Sequence, residues 1–474
     1  MKVLFVYYDA IAEYRGYRGK YYTGIGSISA ILKENGFQTS LLHIVRPINK
    51  REFLRRIERE QPQLLAFSAT TNVFPFIGQL SQWAKESFDI FQVCGGSHAI
   101  LNPDLVFRNS SVDAVCIGEG EYAVLDLARH IRDNQDINFI DGLWVKTDGH
   151  INRNRVRNLL DLNELPYPDK EIFNYSQLEN AIQKKGVFMA SRGCPYNCSY
   201  CCNRSIMSQL GASPEDFIRF KSVDYIIAEI QNELKKYPFV EHIHFDDDIL
   251  VLRMDWFEEF VKRYKKEINL PYECNLRPEL ADNRVINILK ESGCDKALIG
   301  IESGNEDVRK NILNRDINDR FIADAFSELK RNNISTFSFN MVGFPNETIA
   351  QMLDTVKMNA RLSVDQCQIS IFYPYKKTSL YETCQQNGLI SGKTIQNYFS
   401  DSVLNFGYIK KNQILFIKNY FRLLILSYKK IARCPRKISK LLTTIMDRLL
   451  SAKITAVLIY PIYIFLFILV KRRR

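Results

Sequence analysis

The sequence predicts an α/β protein in which a flavodoxin/Rossmann-like domain precedes a partial (β/α)6 barrel and a helical, basic tail. Five strand-like runs alternate with helical segments up to about residue 135, and six more do so from residue 186 onward. Strands that alternate with helices indicate parallel sheets covered by helices. After residue 405 the pattern becomes helical and basic. We therefore expect four regions in the 474 residues, with the bounds 1–137, 138–178, 179–395 and 396–474.

The first series of βα units predicts a doubly wound sheet with a ligand at one edge. Its strand-like runs are residues 3–8, 40–45, 64–69, 91–94 and 114–117. Ligands of such sheets bind beyond the carboxyl ends of the strands. Glycine-containing loops follow there at 23–27, 95–98 and 118–121, and glycine lets a backbone approach a ligand closely. Gly24-Ile25-Gly26 lacks the third glycine of a dinucleotide fingerprint, which excludes NAD.

A hairpin and a linker separate this domain from the second series. Residues 138–157 fit a β-hairpin with Asp148-Gly149 at its turn. The segment 159–173 contains Pro166 and Pro168, which keep it extended. The second series has strand-like runs at 187–191, 242–245, 272–276, 297–301, 336–342 and 368–372. Six such units predict a partial barrel with its chemistry at the carboxyl ends of the strands.

Three cysteines follow the first barrel strand with the spacing C-x3-C-x2-C, at Cys194, Cys198 and Cys201. Three thiolates can hold three irons of a [4Fe–4S] cube and leave the fourth iron free to bind a reactant. A structural zinc site needs four closed positions, and the adjacent Cys201 and Cys202 cannot easily both reach one tetrahedral ion. The spacing therefore favours a reactive cluster over a zinc site or structural free thiols.

The cysteine spacing resembles that of the radical S-adenosylmethionine (SAM) enzymes, in which the open iron binds the methionine end of SAM. This resemblance implies that the three cysteines hold the cluster. It also implies that charged groups at the strand ends receive SAM through charge-assisted hydrogen bonds. The candidates for binding SAM are Tyr200, Asp246, Asp247, Arg277, Glu302 and Gly343. Two alternatives stay open, because strand-end carboxylates often cap helices and Arg277 could form a structural ion pair.

The order of the motifs is similar to that of the radical SAM enzymes with a cobalamin-binding domain, the group related to anaerobic magnesium-protoporphyrin cyclase and the phosphonate methylases. The similarity covers about residues 1–390 and includes Gly-Gly-x-His at 95–98, Gly-Glu-Gly-Glu at 118–121, Leu-x-x-Leu-Pro-x-Pro at 162–168, Gly-Ile-Glu-Ser-Gly at 300–304 and Gly-Phe-Pro-Asn-Glu-Thr at 343–348. It implies that the first domain binds cobalamin over the barrel mouth. The implied cobalamin contacts are Gly24, Gly26, Ser68, Gly95, Gly96, His98, Gly118 and Glu119.

The chain departs from that family at two places. The D-x-H-x-x-G pattern that supplies an axial histidine to cobalt is absent, because Asp9 is followed by Ala10-Ile11-Ala12. A lone histidine such as His98 is more often a hydrogen-bonding loop residue than a cobalt ligand. In addition, residues 373–378 read Tyr-Pro-Tyr-Lys-Lys-Thr where the family has proline-glycine-threonine. This second change predicts an altered wall on the substrate side.

The resemblance implies an enzyme that reductively cleaves SAM to a 5′-deoxyadenosyl radical, for cobalamin-dependent C-methylation of an unactivated carbon. One alternative is a cobalamin-independent radical SAM cyclase, oxidase or rearrangement enzyme. An alternative of another class is a membrane-bound iron–sulfur electron carrier. The expected cofactors are a [4Fe–4S] cluster, SAM and cobalamin. The expected partners are a small-molecule or lipid-like substrate and an electron donor, either a reductase with flavodoxin or a ferredoxin.

The net charge of +11 is confined to the end of the chain. Residues 405–474 contain sixteen Lys or Arg and one acid, whereas the rest contains 48 basic and 52 acidic residues. A nucleic-acid binder spreads its basic patch over the recognition domain, so we expect no nucleic acid. Basic residues interleaved with apolar runs, such as the uncharged stretch 454–470, predict contact with an anionic membrane surface through 405–474. A helix packed on the barrel is the alternative.

The expected location is the cytoplasm, with attachment to the cytoplasmic face of the membrane through the C-terminal segment. The chain opens directly on a strand-like run without a secretory signal pattern. Its eleven cysteines are scattered, which favours reduced thiols over a disulfide framework.

Overall fold

The computed structural model describes residues 1–10, 16–393, 401–407 and 411–452. These residues form two compact units. The first contains the described residues of Met1–Tyr196 and Cys202–Tyr272, and the second contains Asn197–Cys201 and the described residues from Glu273 onward. The four regions expected from the sequence remain predictions, and the apolar stretch 454–470 lies outside the described residues.

The first unit begins with a seven-stranded sheet. Its strands are β1 (Lys2–Tyr8), β2 (Gln38–Ile44), β3 (Leu64–Ser68), β4 (Phe91–Gly95), β5 (Ala114–Cys116), β6 (Leu143–Thr147) and β7 (His150–Arg153). They lie in the order β2-β1-β3-β4-β5-β6-β7, in which the first five are parallel. The five predicted strands and the predicted hairpin are confirmed. The hairpin also extends the sheet, because β6 pairs antiparallel with β5.

Helices cover both faces of this sheet. They are α1 (Thr23–Glu34), α2 (Lys50–Glu60), α3 (Phe74–Ser87), α4 (Ser97–Leu101), α5 (Pro103–Asn109) and α6 (Gly120–Arg132). Phe5 of β1 packs in one core with Ile25 of α1 and Leu125 of α6. Val6 packs in the other core with residues of α2 and α3. Alternate residues of a strand face opposite sides of a sheet, so both faces of β1 are apolar and buried, as in other doubly wound sheets.

The first unit also contains the first part of the barrel. Its elements are α7 (Glu179–Ile182), β8 (Lys185–Phe188), β9 (Ser191–Arg192), α8 (Cys202–Gln209), α9 (Pro214–Phe217), β10 (Arg219–Phe220), α10 (Val223–Lys236), β11 (His242–Phe245) and α11 (Met254–Glu267). Strand β11 pairs parallel with β8, and β10 pairs antiparallel with β9. Phe245 of β11 is fully buried and packs edge-on against Phe260 of α11.

The second unit contains the later barrel strands and the C-terminal helices. Its elements begin with β12 (Tyr272–Leu276), which starts at the boundary between the units, and continue with α12 (Asn283–Ser292), β13 (Cys294–Glu302), α13 (Asp319–Arg331), β14 (Ser335–Val342), α14 (Ile349–Leu362), β15 (Gln366–Ile371), α15 (Ser379–Gln386), α16 (Lys411–Ala432) and α17 (Arg436–Ser451). Strand β14 pairs parallel with β13 and β15. All six predicted barrel strands are confirmed, and the architecture is a half-barrel of parallel strands.

Side-chain caps explain where several barrel helices begin. Asp282, Asn318 and Thr348 each accept a hydrogen bond from the backbone three residues later, at the first turns of α12, α13 and α14. Such caps satisfy amides that have no partner within the helix. Across the described residues, none of the helices combines the length and the apolar character that a membrane crossing requires.

Candidate active site

A cavity of about 340 Å³ lies at the carboxyl ends of the parallel strands of the first unit. The loops after β3, β4 and β5 border it with Ser68, Gly95, Gly96 and Gly118. Residues near the cysteine loop complete the wall, namely Met189, Arg192, Ile206 and Asp246. The cavity therefore occupies the edge where ligands of doubly wound sheets bind.

Glycine at two of these positions is required by the backbone. Gly96 has φ +95°, and a Cβ there would lie 2.7 Å from the carbonyl oxygen of Ala69. Gly118 has φ +115°, and a Cβ there would meet Leu210 at 3.4 Å. Both conformations are ones that L-residues with side chains rarely adopt. The main chain of these loops consequently forms part of the cavity wall.

The wall combines apolar surface, glycine main chain and polar groups, which fits a ligand of mixed character such as a corrinoid. The Thr23 hydroxyl borders the cavity, is buried, and has no hydrogen-bond partner among the described residues. A buried polar atom without a partner is costly, so this hydroxyl is suited to receive a ligand. Phe5, Ile28 and Val124 supply apolar surface. The lining residues, all within the described part of the chain, include no histidine.

Six of the eight expected cobalamin contacts line the cavity, namely Gly24, Ser68, Gly95, Gly96, Gly118 and Glu119. The other two lie elsewhere. A Cβ on Gly26 would come within 2.3 Å of the Tyr21 hydroxyl, so this glycine allows close packing of α1. His98 is buried and stacks on Phe74 at 4.2 Å, with its Nδ1 3.2 Å from the Thr71 hydroxyl. His98 lies in α4, and ring stacking together with this polar contact holds its side chain within the first unit.

Arg192 connects the loop after β5 to the strand that leads into the cysteine loop. Its guanidinium donates to Glu119 and to Glu121, each at 2.6 Å. Arg219 donates to Glu119 at 2.8 Å. Burial works against ionisation of Glu119, but the two guanidiniums outweigh it and lower the pKa of this carboxyl to about 2. Glu119 is therefore a fixed anion whose oxygens position the loop. Its two arginine partners could not be predicted from the sequence.

The cysteine loop carries the three thiols that the sequence predicts as cluster ligands. Cys194, Cys198 and Cys201 form no disulfide, and Cys198 is buried. Among the described residues, no three His, Cys, Asp or Glu side chains converge closely enough to hold a single metal ion. Three thiolates would each bind a different iron of a [4Fe–4S] cube, and this assignment of the three cysteines stays a prediction.

Hydrogen bonds to backbone carbonyls hold the part of this loop that belongs to the second unit. Ser199 donates through its N–H to the carbonyl of Leu313 at 3.0 Å and through its hydroxyl to that of Ile312 at 2.6 Å. The Asn314 amide donates to the carbonyl of Asn197 at 2.7 Å. These bonds fix residues 197–199, so the direction of the Cys198 side chain is set by the segment 312–314.

Arg277 lies against a sulfur of the loop. Its Nη1 is 3.5 Å from Cys198 Sγ, and its Nε donates to Glu279 at 2.6 Å. The sequence predicts that this guanidinium pairs with the SAM carboxylate or with a structural anion. In the structure it pairs with Glu279 and faces the thiol, which is the position of a group that stabilises negative charge on a cluster sulfur.

Glu302, Tyr200 and Arg315 form a buried polar group at the end of β13. Arg315 Nη1 lies 3.5 Å from the Glu302 carboxylate and 3.0 Å from the Tyr200 hydroxyl. Glu302 has φ +63° and sits where the pairing of β13 with β14 shifts register. Burial raises the pKa of Glu302, and Arg315 opposes that shift. A non-glycine residue in this conformation indicates a constrained site, and no motif in the sequence pointed to Arg315.

The two neighbouring aspartates after β11 have different surroundings. Asp247 is fully buried and accepts hydrogen bonds from the N–H groups of Ala190 and Ser191 at 3.1 and 2.6 Å. Burial raises its pKa to about 6 despite these bonds. Asp246 is about half exposed, lines the cavity and lies 3.5 Å from His244 Nε2. Asp247 thus braces the end of β8, whereas Asp246 has a surface that a ligand can reach.

Gly343 begins a turn that is stabilised by the buried carboxyl group of Glu347. Its φ is +82°, and its N–H donates to Glu347 at 2.7 Å, beside that of Phe344 at 3.1 Å. Burial raises the pKa of Glu347 to about 8. This side chain is therefore mostly protonated at neutral pH, and it accepts both amides with one oxygen.

Two protein-family models match parts of this chain. "Radical SAM superfamily" matches residues 189–358, and "B12 binding domain" matches residues 21–128. The first range includes the cysteine loop, Glu302 and Gly343. The second includes six strand-end residues of the cavity. The cofactors that follow from these domains are a [4Fe–4S] cluster, SAM and cobalamin.

Curated relatives extend over most of the chain. An uncharacterized methyltransferase of Pyrococcus horikoshii is 25% identical over 82% of this chain and 84% of its own length. The anaerobic magnesium-protoporphyrin IX monomethyl ester cyclase of Rubrivivax gelatinosus is 22% identical over 81% and 70%. The cytidylyl-2-hydroxyethylphosphonate methyltransferase of Streptomyces wedmorensis is 21% identical over 79% of each chain.

Solved structures share the fold. The radical SAM methyltransferase TsrM from Kitasatospora setae superposes with a TM-score of 0.65 at 14% identity, over 83% of this chain and 77% of its own. The cobalamin-dependent SAM radical enzyme OxsB gives 0.67 at 14% identity, over 97% and 75%. At such identities the likeness concerns the architecture.

Replacing Cys198 by alanine should remove the cluster, because each of three thiolates holds one iron. We expect anaerobically reconstituted Cys198→Ala to lose its iron and the broad absorbance at roughly 400 nm that is typical of iron–thiolate cofactors. Cys202→Ala is the matched control and should retain both. Loss of iron from the Cys202 variant instead would indicate a four-cysteine site.

Replacing Arg277 by leucine should lower the reduction potential of the cluster. The guanidinium near Cys198 Sγ favours the reduced, more negative form. We expect a shift on the order of 50 mV, close to the 59 mV that corresponds to a tenfold change in a one-electron equilibrium. Potentiometric titration followed by electron paramagnetic resonance measures it. Arg331→Leu, on the exposed end of α13, is the control, and equal potentials in all three proteins would contradict the role.

Glu347→Gln should change the pH dependence of stability. The folded pKa of about 8 lies above roughly 4.3 for an unfolded glutamate, so folding favours the protonated form. Its contribution is complete below about pH 4 and is lost as the pH rises through about 8. The difference in apparent Tm between the variant and wild type should favour the variant more at pH 9 than at pH 5. Each kcal/mol in the free energy of unfolding corresponds to about 2 °C. Glu215 is exposed, so Glu215→Gln is the control, and its apparent Tm should change with pH as that of wild type does.

Proposed function

Because this chain belongs to the radical SAM enzymes with an N-terminal B12-binding domain, we propose that it catalyses cobalamin-dependent methylation of an unactivated carbon in a small molecule. Two of the relatives described above are methyltransferases, one of them acting on a phosphonate. The observation that carries the proposal is the cavity of about 340 Å³, which joins the glycine loops of the first domain to residues beside the cysteine loop.

The residues that would hold each cofactor follow from the site. Cys194, Cys198 and Cys201 would hold the cluster. Glycine main chain at residues 95, 96 and 118 and the Thr23 hydroxyl would face the corrin. When bound, the cluster supplies an electron for SAM cleavage and cobalamin supplies methyl-transfer chemistry.

The remaining polar side chains bind SAM or position the groups around it. We assign Asp246 to the SAM amine or ribose hydroxyls, because it is accessible and anionic groups suit these partners. Tyr200 and Glu302, fixed by Arg315, form a further polar contact for SAM. Asp247, Glu119 and Arg277 act as positioning residues, through Ser191, Arg192 and Cys198 respectively. The turn at Gly343 supplies main chain for the adenine side.

The electron donor and the substrate class are proposed from the chemistry that the cofactors and the C-terminal region require. A low-potential donor, either a reductase with flavodoxin or a ferredoxin, would reduce the cluster. None of the eleven cysteines, all of them described by the structure, forms a disulfide, which suits the reducing cytoplasm. A lipid-like substrate would agree with the basic, apolar C-terminal region.

Gly95→Val should abolish corrinoid retention and leave the fold intact. The φ of Gly95 is ordinary and a Cβ there meets only Cys116 at 3.6 Å, so the backbone tolerates a side chain that enters the cavity. We expect the purified variant to lose the visible corrinoid spectrum and to keep its iron. Gly407→Val, at a glycine with open space around it, is the matched control.

Anaerobic turnover with methyl-labelled SAM and a small-molecule extract tests the reaction itself. Label in a product other than SAM, together with 5′-deoxyadenosine, supports methylation. Formation of 5′-deoxyadenosine by protein that retains no corrinoid would favour the cobalamin-independent alternative. Absence of 5′-deoxyadenosine from iron-replete protein would contradict the proposal.

A further inference from the structure

Helix α17 exposes an apolar stripe. Leu441 and Leu449 are 60% and 58% exposed, and Ile438 and Ile445 are 50% and 44% exposed. Their spacing places them on one face of the helix. No residue of α17 is buried. Scattered exposed apolar residues are ordinary, whereas a continuous exposed stripe marks an interaction surface.

The polar side of α17 faces its own unit. Asp447 accepts a hydrogen bond from Lys357 of α14 at 3.0 Å and another from the Tyr428 hydroxyl of α16. Asp447 lies on the side of the helix opposite Ile438 and Ile445, by the helical spacing of 100° per residue. A surface helix ordinarily buries its apolar stripe. In α17 this orientation is reversed, so the stripe is available to another partner.

Positive charge borders the stripe. Arg436, Lys437, Lys440 and Arg448 lie on α17, and none of them has a carboxylate partner among residues that the structure describes. The helix has one acid, Asp447, and Lys357 neutralises it. Residues 405–474 contain sixteen basic residues and one acid. A partner that complements α17 therefore has an apolar interior and a negatively charged surface.

We propose that α17 lies in the interface of a membrane that contains anionic lipids, with Leu441, Ile445 and Leu449 among the acyl chains and the cations at the phosphates. An amphipathic helix with cations beside its apolar face binds in this way. The surface lies outside the cofactor sites, so this function is separate from methyl transfer. It would bring the enzyme to a lipid-like or membrane-delivered substrate.

The test uses the full chain and vesicles of phosphatidylglycerol mixed with phosphatidylcholine, with pure phosphatidylcholine for comparison. We expect wild type to float with the anionic vesicles, and higher salt to weaken the binding. Leu441→Gln with Ile445→Gln should lower the partition coefficient by about tenfold or more, since each buried CH₂ contributes to insertion. Lys437→Gln with Lys440→Gln should lower it on anionic vesicles alone. Phe139→Gln with Ile182→Gln, at residues 79% and 56% exposed in the first unit, is the matched control and should bind as wild type does.

A local probe separates α17 from the rest of the C-terminal region. Ile445→Trp should show a blue-shifted emission on anionic vesicles and quenching by brominated acyl chains, after subtraction of the signal of the three native tryptophans. Failure of wild type to bind would overturn the proposal. Undiminished binding of the Leu441/Ile445 variant would overturn it as well, because other residues such as 454–470 would then carry the contact. A self-association that this variant abolishes, without vesicle binding by wild type, would assign the stripe to a second copy.

Discussion

The site depends on arginine side chains that lie largely out of water and pair with carboxylates, carbonyls or a hydroxyl. A buried guanidinium must be paired, because an uncompensated charge in the interior costs several kcal/mol. Arg192 satisfies this with Glu119 and Glu121, and Arg315 with Glu302, Tyr200 and the carbonyl of Gly300. Arg309, which is fully buried, donates to the carbonyls of Ser303 and Ile317 and to Asp319. The contacts of each arginine therefore hold a loop near the end of a strand in one conformation.

These arginines act on both sides of the cysteine loop. Within the first unit, Arg192 stands two residues before Cys194 and is tied to the glycine loop that borders the cavity. Within the second unit, Arg309 and Arg315 flank the segment 312–314, whose carbonyls receive Ser199. Within each unit, these bonds hold the neighbouring part of the cysteine loop in place before a cofactor binds.

The strands could be predicted from the sequence because they are local signals. Apolar runs of four to eight residues identified all eleven parallel strands, and the cysteine spacing predicts the cluster loop in the same local way. The partners of the charged residues could not be predicted, since Arg192 and Glu119 are 73 residues apart and Arg277 and Cys198 are 79 apart. The same limit applies to Asp246 and Asp247, which look equivalent in sequence. Only the fold reveals that Asp247 is turned toward the backbone of Ser191 whereas Asp246 borders the cavity.

The C-terminal helices illustrate a different limit. Periodicity in residues 436–451 indicates an amphipathic helix, but periodicity alone does not determine which face packs. The ion pair of Asp447 with Lys357 fixes the rotation of α17, and this rotation directs Leu441 and Ile445 outward. The polar contacts of Asp447 with Lys357 and Tyr428 thus hold α17 with its apolar face open. The free energy of burying that face is then available to a partner outside the chain.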